Sequence, residues 1–424
     1  MARVVVVGGG WAGCGAAIGA ARQGAEVVLL ERTDMLLGTG LAGGLYRNNG
    51  RYTAAEEIKF MGCGDLIDAM DEAARHHNVE IPDHKHGSIY DAHRMEPAVK
   101  RKLAAYPNLK VLLEARAQDV RMKNGRIEAI ITEDKEVIEG DVFIDTTGTT
   151  GSQANCTRYG NGCSMCILRC PTFGNRVSVA AKAGVKEMMA VRPGGGFGAF
   201  SGACEIGKDT VARHLVDELE AKGSLVVPLP LELQDENKLR IKACQQYATP
   251  PYYQNLVIID NGYVKIIAPF LPLKKLRAVP GFEEARYEDP YSGGIGNSIR
   301  FLAVAPRDNT LKVTGVENLY CGGEKAGFYV GHTEAAVTGA LAGHNAARQA
   351  AGGKPIELPR TTALGEFIAH FNEVIDKDSE GLSKKFTFAG SYFLKRMEEK
   401  GLYSIDHDAI EHWVEESGTK GILA

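Results

Sequence analysis

The first thirty-odd residues constrain this chain more than any other segment. Val4 to Val7 form an unbroken apolar run, Gly8-x-Gly10-x-x-Gly13 follows at once, then a stretch of small residues, then a second apolar run from Glu26 to Leu30 that ends on Glu31. Each glycine has a physical task. Gly8 permits a tight turn, Gly10 lets backbone approach a pyrophosphate, and Gly13 lets a helix lie close to the preceding strand. The helix that begins there turns unpaired N–H groups and the positive end of its dipole toward the phosphates. Glu31, about twenty residues beyond the loop, stands where a carboxylate can accept ribose hydroxyls, with Arg32 beside it. A chance glycine-rich turn would not bring strand, loop, small-residue helix and acid in this order. The segment therefore predicts a dinucleotide-binding βαβ unit and a parallel α/β sheet.

The chain has 424 residues, 44% of them hydrophobic, enough for two or three domains with proper cores. Lys plus Arg number 49 and Asp plus Glu 53, a net charge of −4, so no global field draws the chain toward phosphate backbones, and nucleic acid is not expected as a partner. No apolar run reaches the length needed to cross a bilayer, and the apolar start is used as the first strand, so the expected location is the cytoplasm, without a membrane. Nine cysteines, odd in number and unevenly spread, do not read as a secreted disulfide framework.

Along the chain, Gly38-Thr39-Gly40-Leu41-Ala42-Gly43-Gly44 is a loop suited to lie against a flat ligand. Asp65 to His76 and Asp91 to Ala104 read as helices. Strands are expected at 110–113, 117–122 and 127–132, the last two joined by Lys123-Asn124-Gly125, and again over 141–146 running into Gly148. Near the end, Val316 to Glu324 is a strand closing on Gly322, Gly323 and Glu324, and a long helix begins near His332 or Thr333 and runs to about Ala350. Its N-terminus could stabilise negative charge on a reduced flavin, or it could be an ordinary Thr-capped helix packed through alanines. The expected architecture is α/β. A discontinuous Rossmann-like domain (1–154 and 301–360) carries an inserted α+β domain (155–300), and a C-terminal helical segment (361–424) follows.

The Gly8-x-Gly10-x-x-Gly13 loop with Glu31, the strand ending at Gly148 and the Asn318-to-Glu324 strand resemble the three cofactor segments of glutathione-reductase-like flavoproteins with two dinucleotide-binding domains. More narrowly, Glu334-Ala335-Ala336 and Leu341-Ala342-Gly343-His344-Asn345-Ala346-Ala347 are similar to the C-terminal cofactor region of the glucose-inhibited division protein A family, which includes folate- and FAD-dependent tRNA uracil-5-methyltransferases. Leu358-Pro359-Arg360-Thr361-Thr362-Ala363-Leu364-Gly365 resembles the methyltransferase branch. Together these segments cover about a third of the chain. The resemblance implies extended FAD, with its pyrophosphate on Gly8, Gly10 and Gly13, its ribose on Glu31, its adenine near Val120, and its ring system between the 38–44 loop, with Gly40, and the start of the helix at His332 and Thr333; Arg32, Gly148, Gly323 and Glu324 are further cofactor-binding candidates. No second strand-GxGxxG-helix occurs, so a separate nicotinamide domain is not expected.

The departure from that family lies in Cys156-x6-Cys163-x2-Cys166-x3-Cys170-Pro171, four thiols in fifteen residues whose tail repeats the bacterial ferredoxin ligand run. A [4Fe–4S] cluster held by Cys156, Cys163, Cys166 and Cys170 is the leading reading. Alternatives are zinc, structural thiols, or a catalytic thiol pair, Cys163 and Cys166, acting beside the flavin. His84-x-His86 could bind a metal or belong to a solvated loop, and Arg176, Tyr252, Tyr253, Lys265 and Arg300 are candidates to line a pocket. The function expected is an FAD-dependent oxidoreductase passing electrons between a small organic substrate and the cluster, with ferredoxin or another redox protein as partner and a homo-oligomer left open. Two alternatives stand beside it: a folate- and FAD-dependent RNA uracil methyltransferase, and an electron-transfer subunit of a larger complex.

Overall fold

Five parallel strands form the central sheet of the computed structural model, which describes residues 2–148, 173–189, 199–200, 204–240, 245–288, 299–300, 303–377 and 386–424. Their order is Leu319–Cys321, Val142–Asp145, Arg3–Val7, Glu26–Leu30, Leu109–Leu112. Val5 faces Phe143 on one side and Val28 on the other. These strands read as continuous apolar runs because both faces are covered, the usual state of a parallel sheet. From Arg3–Val7 the order proceeds outward in both directions. The crevice past the carboxyl ends of the strands at such a reversal is where open α/β sheets bind ligands.

Two helices cross this sheet with their backbones in contact. In the opening helix (Trp11–Arg22), a Cβ on Gly15 would fall 2.6 Å from Ala336 O and one on Gly19 would fall 2.4 Å from Ala340 O. In the late helix (His332–Ala350), a Cβ on Gly339 or Gly343 would fall 2.0 Å from Ala12 O or Ala16 O. Four glycines thus interlock the two helices reciprocally.

A second sheet is antiparallel, in the order Cys204–Ile206, Val264–Ala268, Asn255–Asp260, Ser224–Pro228. Along Asn255–Asp260 the side chains alternate between two cores: Leu256 and Ile258 pack with Val216, Leu219 and Phe282, whereas Val257 and Ile259 pack with Leu45, Val79, Ile81 and Ile89. Val79, Ile81 and Ile89 come from a hairpin, Ala74–Ile81 with His84–Tyr90, and Leu45 from a short strand, Leu45–Tyr46, paired to it. This corrects the expected helix over 65–76. The helix ends at Glu72, because the alternating Val79 and Ile81 have a second sheet to bury against, and His76 Nε2 meets Asp260 Oδ2 at 2.9 Å.

The C-terminal region is helical, with Ala363–Lys377, Ser391–Glu399 and His407–Glu416. Ile410 and Val414 are fully buried, and the Trp413 indole donates to Glu57 Oε1 at 2.9 Å, which seats this tail on the Gly50–Phe60 helix. No helix among the described residues is long and apolar enough to cross a membrane.

Candidate functional site

The glycine loop is built as its spacing requires. Gly8 adopts φ +105°, and a Cβ on Gly13 would lie 1.7 Å from Gly8 O, so the helix approaches the strand at a distance only glycine allows. A Cβ on Gly10 would meet nothing within 4 Å, since Gly10 faces open space. The Glu31 carboxylate ties the loop to the second strand: Oε2 accepts from Gly9 N at 2.8 Å and Oε1 from Thr33 N at 2.9 Å. Each oxygen keeps further accepting capacity.

Around this loop lies a crevice walled by Gly8, Gly10, Glu31, Arg32, Gly148 and Glu324 among others. Six of the residues singled out from the sequence thus converge on one space. Gly13 stands behind the loop as its packing surface. Gly148 and Gly323 hold positive φ, +75° and +62°, at the two strand ends facing the crevice, and Gly323 N donates to Thr338 Oγ1 at 2.9 Å.

Gly40, His332 and Thr333 meet at a neighbouring junction. The Tyr90 hydroxyl donates to Gly40 O at 2.9 Å and lies 3.2 Å from His332 Nδ1. The Thr333 side chain is fully buried, and its hydroxyl has no hydrogen-bond partner. Thr333 therefore does not cap its helix through its side chain; the cap residue is Gly331, with no side-chain hydrogen bond. Val120 stands apart. Residues 115–117 reach the crevice, whereas Val120 packs against the main core.

Three arginines are among the residues that line the crevice, Arg32, Arg116 and Arg176. Arg116 was not singled out from the sequence. It is held by Asn175, with Nε to the carbonyl at 2.8 Å and Nη2 to Oδ1 at 2.6 Å, and by Glu133 at 3.2 Å. Only the fold brings it next to the glycine loop. Asp145, fully buried, accepts from Ala180 N at 2.8 Å and from Thr147 Oγ1 at 2.7 Å, and so anchors the segment that delivers Arg176.

Cys156, Cys163, Cys166 and Cys170 lie outside the described residues. Among the described residues no group of three or more His, Cys, Asp or Glu is arranged to hold a metal ion. Burial pushes the thiols of Cys63 and Cys321 up to about 12 and that of Cys14 higher still, which makes them poor nucleophiles. His84 is enclosed, with Nδ1 3.0 Å from Asn48 Nδ2 and Nε2 3.1 Å from Gln246 O, so its ring is committed to packing and the His84-x-His86 metal reading is not met. The second-region candidates disperse: Tyr252 donates to Pro82 O inside a core, Lys265 is buried 3.6 Å from Glu205, and Arg176 lines the crevice, while Arg300's side chain is outside the described set.

The family described as Glucose inhibited division protein A matches residues 3–238 and 262–354. Among individual proteins, the chain is similar to the tRNA uridine 5-carboxymethylaminomethyl modification enzyme MnmG of Pediococcus pentosaceus, 36% identical over 32% of this chain and 21% of that protein. It is also similar to the Methylenetetrahydrofolate--tRNA-(uracil-5-)-methyltransferase TrmFO of Enterococcus faecalis, 33% identical over 26% of this chain and 25% of that protein. The matched part thus spans a quarter or less of these curated relatives. Aquifex aeolicus GidA shares the fold, with a TM-score of 0.67 at 17% identity, covering 100% of this chain and 74% of that one. The relatives' names overturn the expectation that nucleic acid is not a partner. That expectation rested on a net charge of −4, but phosphates respond to the local field, and a global sum does not report how cations are distributed.

Proposed function

We propose, from the premise that this chain belongs to the glucose inhibited division protein A family, that it is an FAD-dependent enzyme that modifies uridine in tRNA at the C5 position. The observation that carries this is the crevice in which Gly8, Gly10, Glu31, three arginines and Glu324 converge, in a chain whose curated relatives are named for chemistry at position 5 of a tRNA uridine. The residues present fit FAD. The glycine loop leaves room for a diphosphate, Arg32, Arg116 and Arg176 supply positive charge around it, and Glu31 retains acceptor capacity for ribose hydroxyls.

When bound, FAD supplies the two-electron chemistry, and the protein contributes position and electrostatics. In this reading the start of the late helix, at His332 and Thr333, presents its N–H groups where negative charge develops. Fully buried Tyr90 and half-buried His332 pack together at the neighbouring junction and limit its access to water. The thiols of Cys14, Cys63 and Cys321 are held protonated, and among the other six cysteines the closely spaced run at Cys156, Cys163, Cys166 and Cys170 is the candidate source of a nucleophilic thiol pair, Cys163 and Cys166, or of cluster ligands. A [4Fe–4S] cluster is supported by the ligand spacing alone, and iron and sulfide analysis of anaerobically purified protein decides it.

The test is incubation of FAD-loaded protein with unmodified tRNA and a folate or other one-carbon donor, followed by nucleoside mass spectrometry. New mass at uridine C5 and tRNA binding with a steep salt dependence are expected. FAD-loaded protein that neither binds tRNA nor alters any nucleoside overturns the proposal.

A further inference from the structure

Behind the crevice walls lies a sealed ionic cluster. Lys325 is fully buried, and its ammonium pairs with Glu187 Oε1. The same oxygen accepts from Ser178 Oγ at 2.6 Å, and Ser178 Oγ lies 3.3 Å from Oδ2 of Asp145, which is also fully buried. The cluster thus joins three segments far apart in sequence. Three of its members are the immediate neighbours of crevice walls: Asp145 precedes Thr146, Ser178 follows Val177, and Lys325 follows Glu324.

Stability alone does not account for this arrangement. Lysine is almost never fully buried unless paired, and the desolvation cost of a sealed ion pair can exceed the attraction it gains. Glu187 Oε2 is buried with no hydrogen-bond partner, so the carboxylate is not even fully satisfied. What the cluster does supply is fixed geometry. The strand ends at Asp145 and Cys321 are held in register by the central sheet. The segment from Arg176 to Glu187 is fastened to them through Ser178, through Ala180 N on Asp145 Oδ2 at 2.8 Å, and through Glu187 on Lys325.

We infer that Glu187 and Lys325 are positioning residues for the dinucleotide: their sealed pair, linked through Ser178 to Asp145, sets the separation of the crevice walls at Thr146, Val177 and Glu324. This rests on the FAD reading above. Both residues stand behind the walls and act through them, so the pair contributes to FAD affinity by holding the crevice at its working width.

The experiment uses full-length protein stripped of flavin and titrated with FAD. Glu187→Met combined with Lys325→Met removes both charges at similar volume. The flavin-free double variant melts at or above the temperature of the unsubstituted flavin-free protein, yet it binds FAD about tenfold more weakly, and the visible circular dichroism of the bound flavin changes. Ser178→Ala keeps both charges and removes the link to Asp145; it weakens FAD binding about fivefold with the same spectral change, and it decides alone should the double variant fail to fold. FAD affinity within about twofold of the unsubstituted protein in the deciding variant, or bound flavin with unaltered circular dichroism, overturns the inference and leaves the FAD reading standing. Absence of FAD binding by the unsubstituted protein overturns both.

Discussion

Arg51 and Glu334, 283 residues apart, form an ion pair sealed from solvent, with Nε to Oε1 at 3.0 Å. Glu334 Oε1 also accepts from Thr387 Oγ1 at 2.7 Å and from Phe388 N at 3.0 Å, and Arg51 Nη2 donates to Val330 O at 2.9 Å. One buried carboxylate therefore binds the start of the late helix to the Gly50–Phe60 helix and to the C-terminal tail. Removing one member leaves an uncompensated buried charge. Arg51→Leu is expected to cost about 3–5 kcal/mol of stability, and the double replacement Arg51→Leu with Glu334→Leu less than the sum of the single ones. Chemical denaturation of the three variants checks this, and strictly additive losses would contradict it.

Glu57 supplies a pH signature. Its buried carboxyl accepts from Ala363 N at 2.8 Å, Leu364 N at 2.9 Å and the Trp413 indole, yet burial outweighs these bonds and pushes it up to about 7. The folded protein therefore holds a proton that the unfolded chain has released between pH 4.5 and 7, so this group's contribution to stability is greatest below pH 4.5 and is lost as pH rises to 7. The stability difference between wild type and Glu57→Gln should shift by roughly 2 kcal/mol in the variant's favour between pH 5 and 7.5. Denaturant midpoints at the two pH values give the number, and a constant difference would rule out this assignment.

His344 works in the opposite sense. It is 2% exposed, neither ring nitrogen has a hydrogen-bond partner, and burial lowers its pKa to about 4, with Arg348 adding to the effect. The unfolded chain takes up the proton first, so stability is present above pH 6.5 and falls as pH drops toward 4. His344→Leu removes two unmet polar atoms and this dependence together. The variant is expected to match or exceed wild-type stability at pH 7.5 and to lead it by roughly 1 kcal/mol more at pH 5.5. Thermal melts at both pH values test it; a variant less stable at both would count against the reading.

At the glycine loop, Gly13→Ala forces backbone apart because its Cβ would sit 1.7 Å from Gly8 O. FAD affinity should fall by tenfold or more, on the order of 1.4 kcal/mol, with the far-ultraviolet circular dichroism largely kept. Equilibrium titration reads this directly, and unchanged affinity would show that the loop tolerates the shift.

Much of the crevice was legible because its instructions are local. Gly8, Gly10, Gly13 and Glu31 lie within one βαβ unit, and their spacing alone specifies which atoms face a ligand. Arg116 was not legible, since nothing near it in sequence marks it; it reaches the crevice only because its strand and the segment of Asn175 pack there. The 65–76 region misled for a related reason. Its apolar spacing suits a helix through Met70, but Val79 and Ile81 answer to a sheet formed by residues 204–268, which no local pattern announces. The misjudgement about nucleic acid had another origin, a whole-chain charge sum standing in for a charge distribution.

The interlocked glycines of the opening and late helices carry a last consequence. Because Gly15, Gly19, Gly339 and Gly343 bring carbonyls of each helix against the other, neither helix can slip along its neighbour without backbone collision. One begins at Trp11 and the other at His332, so the spacing between the two helix starts is set by backbone contact and does not depend on the side chains around them.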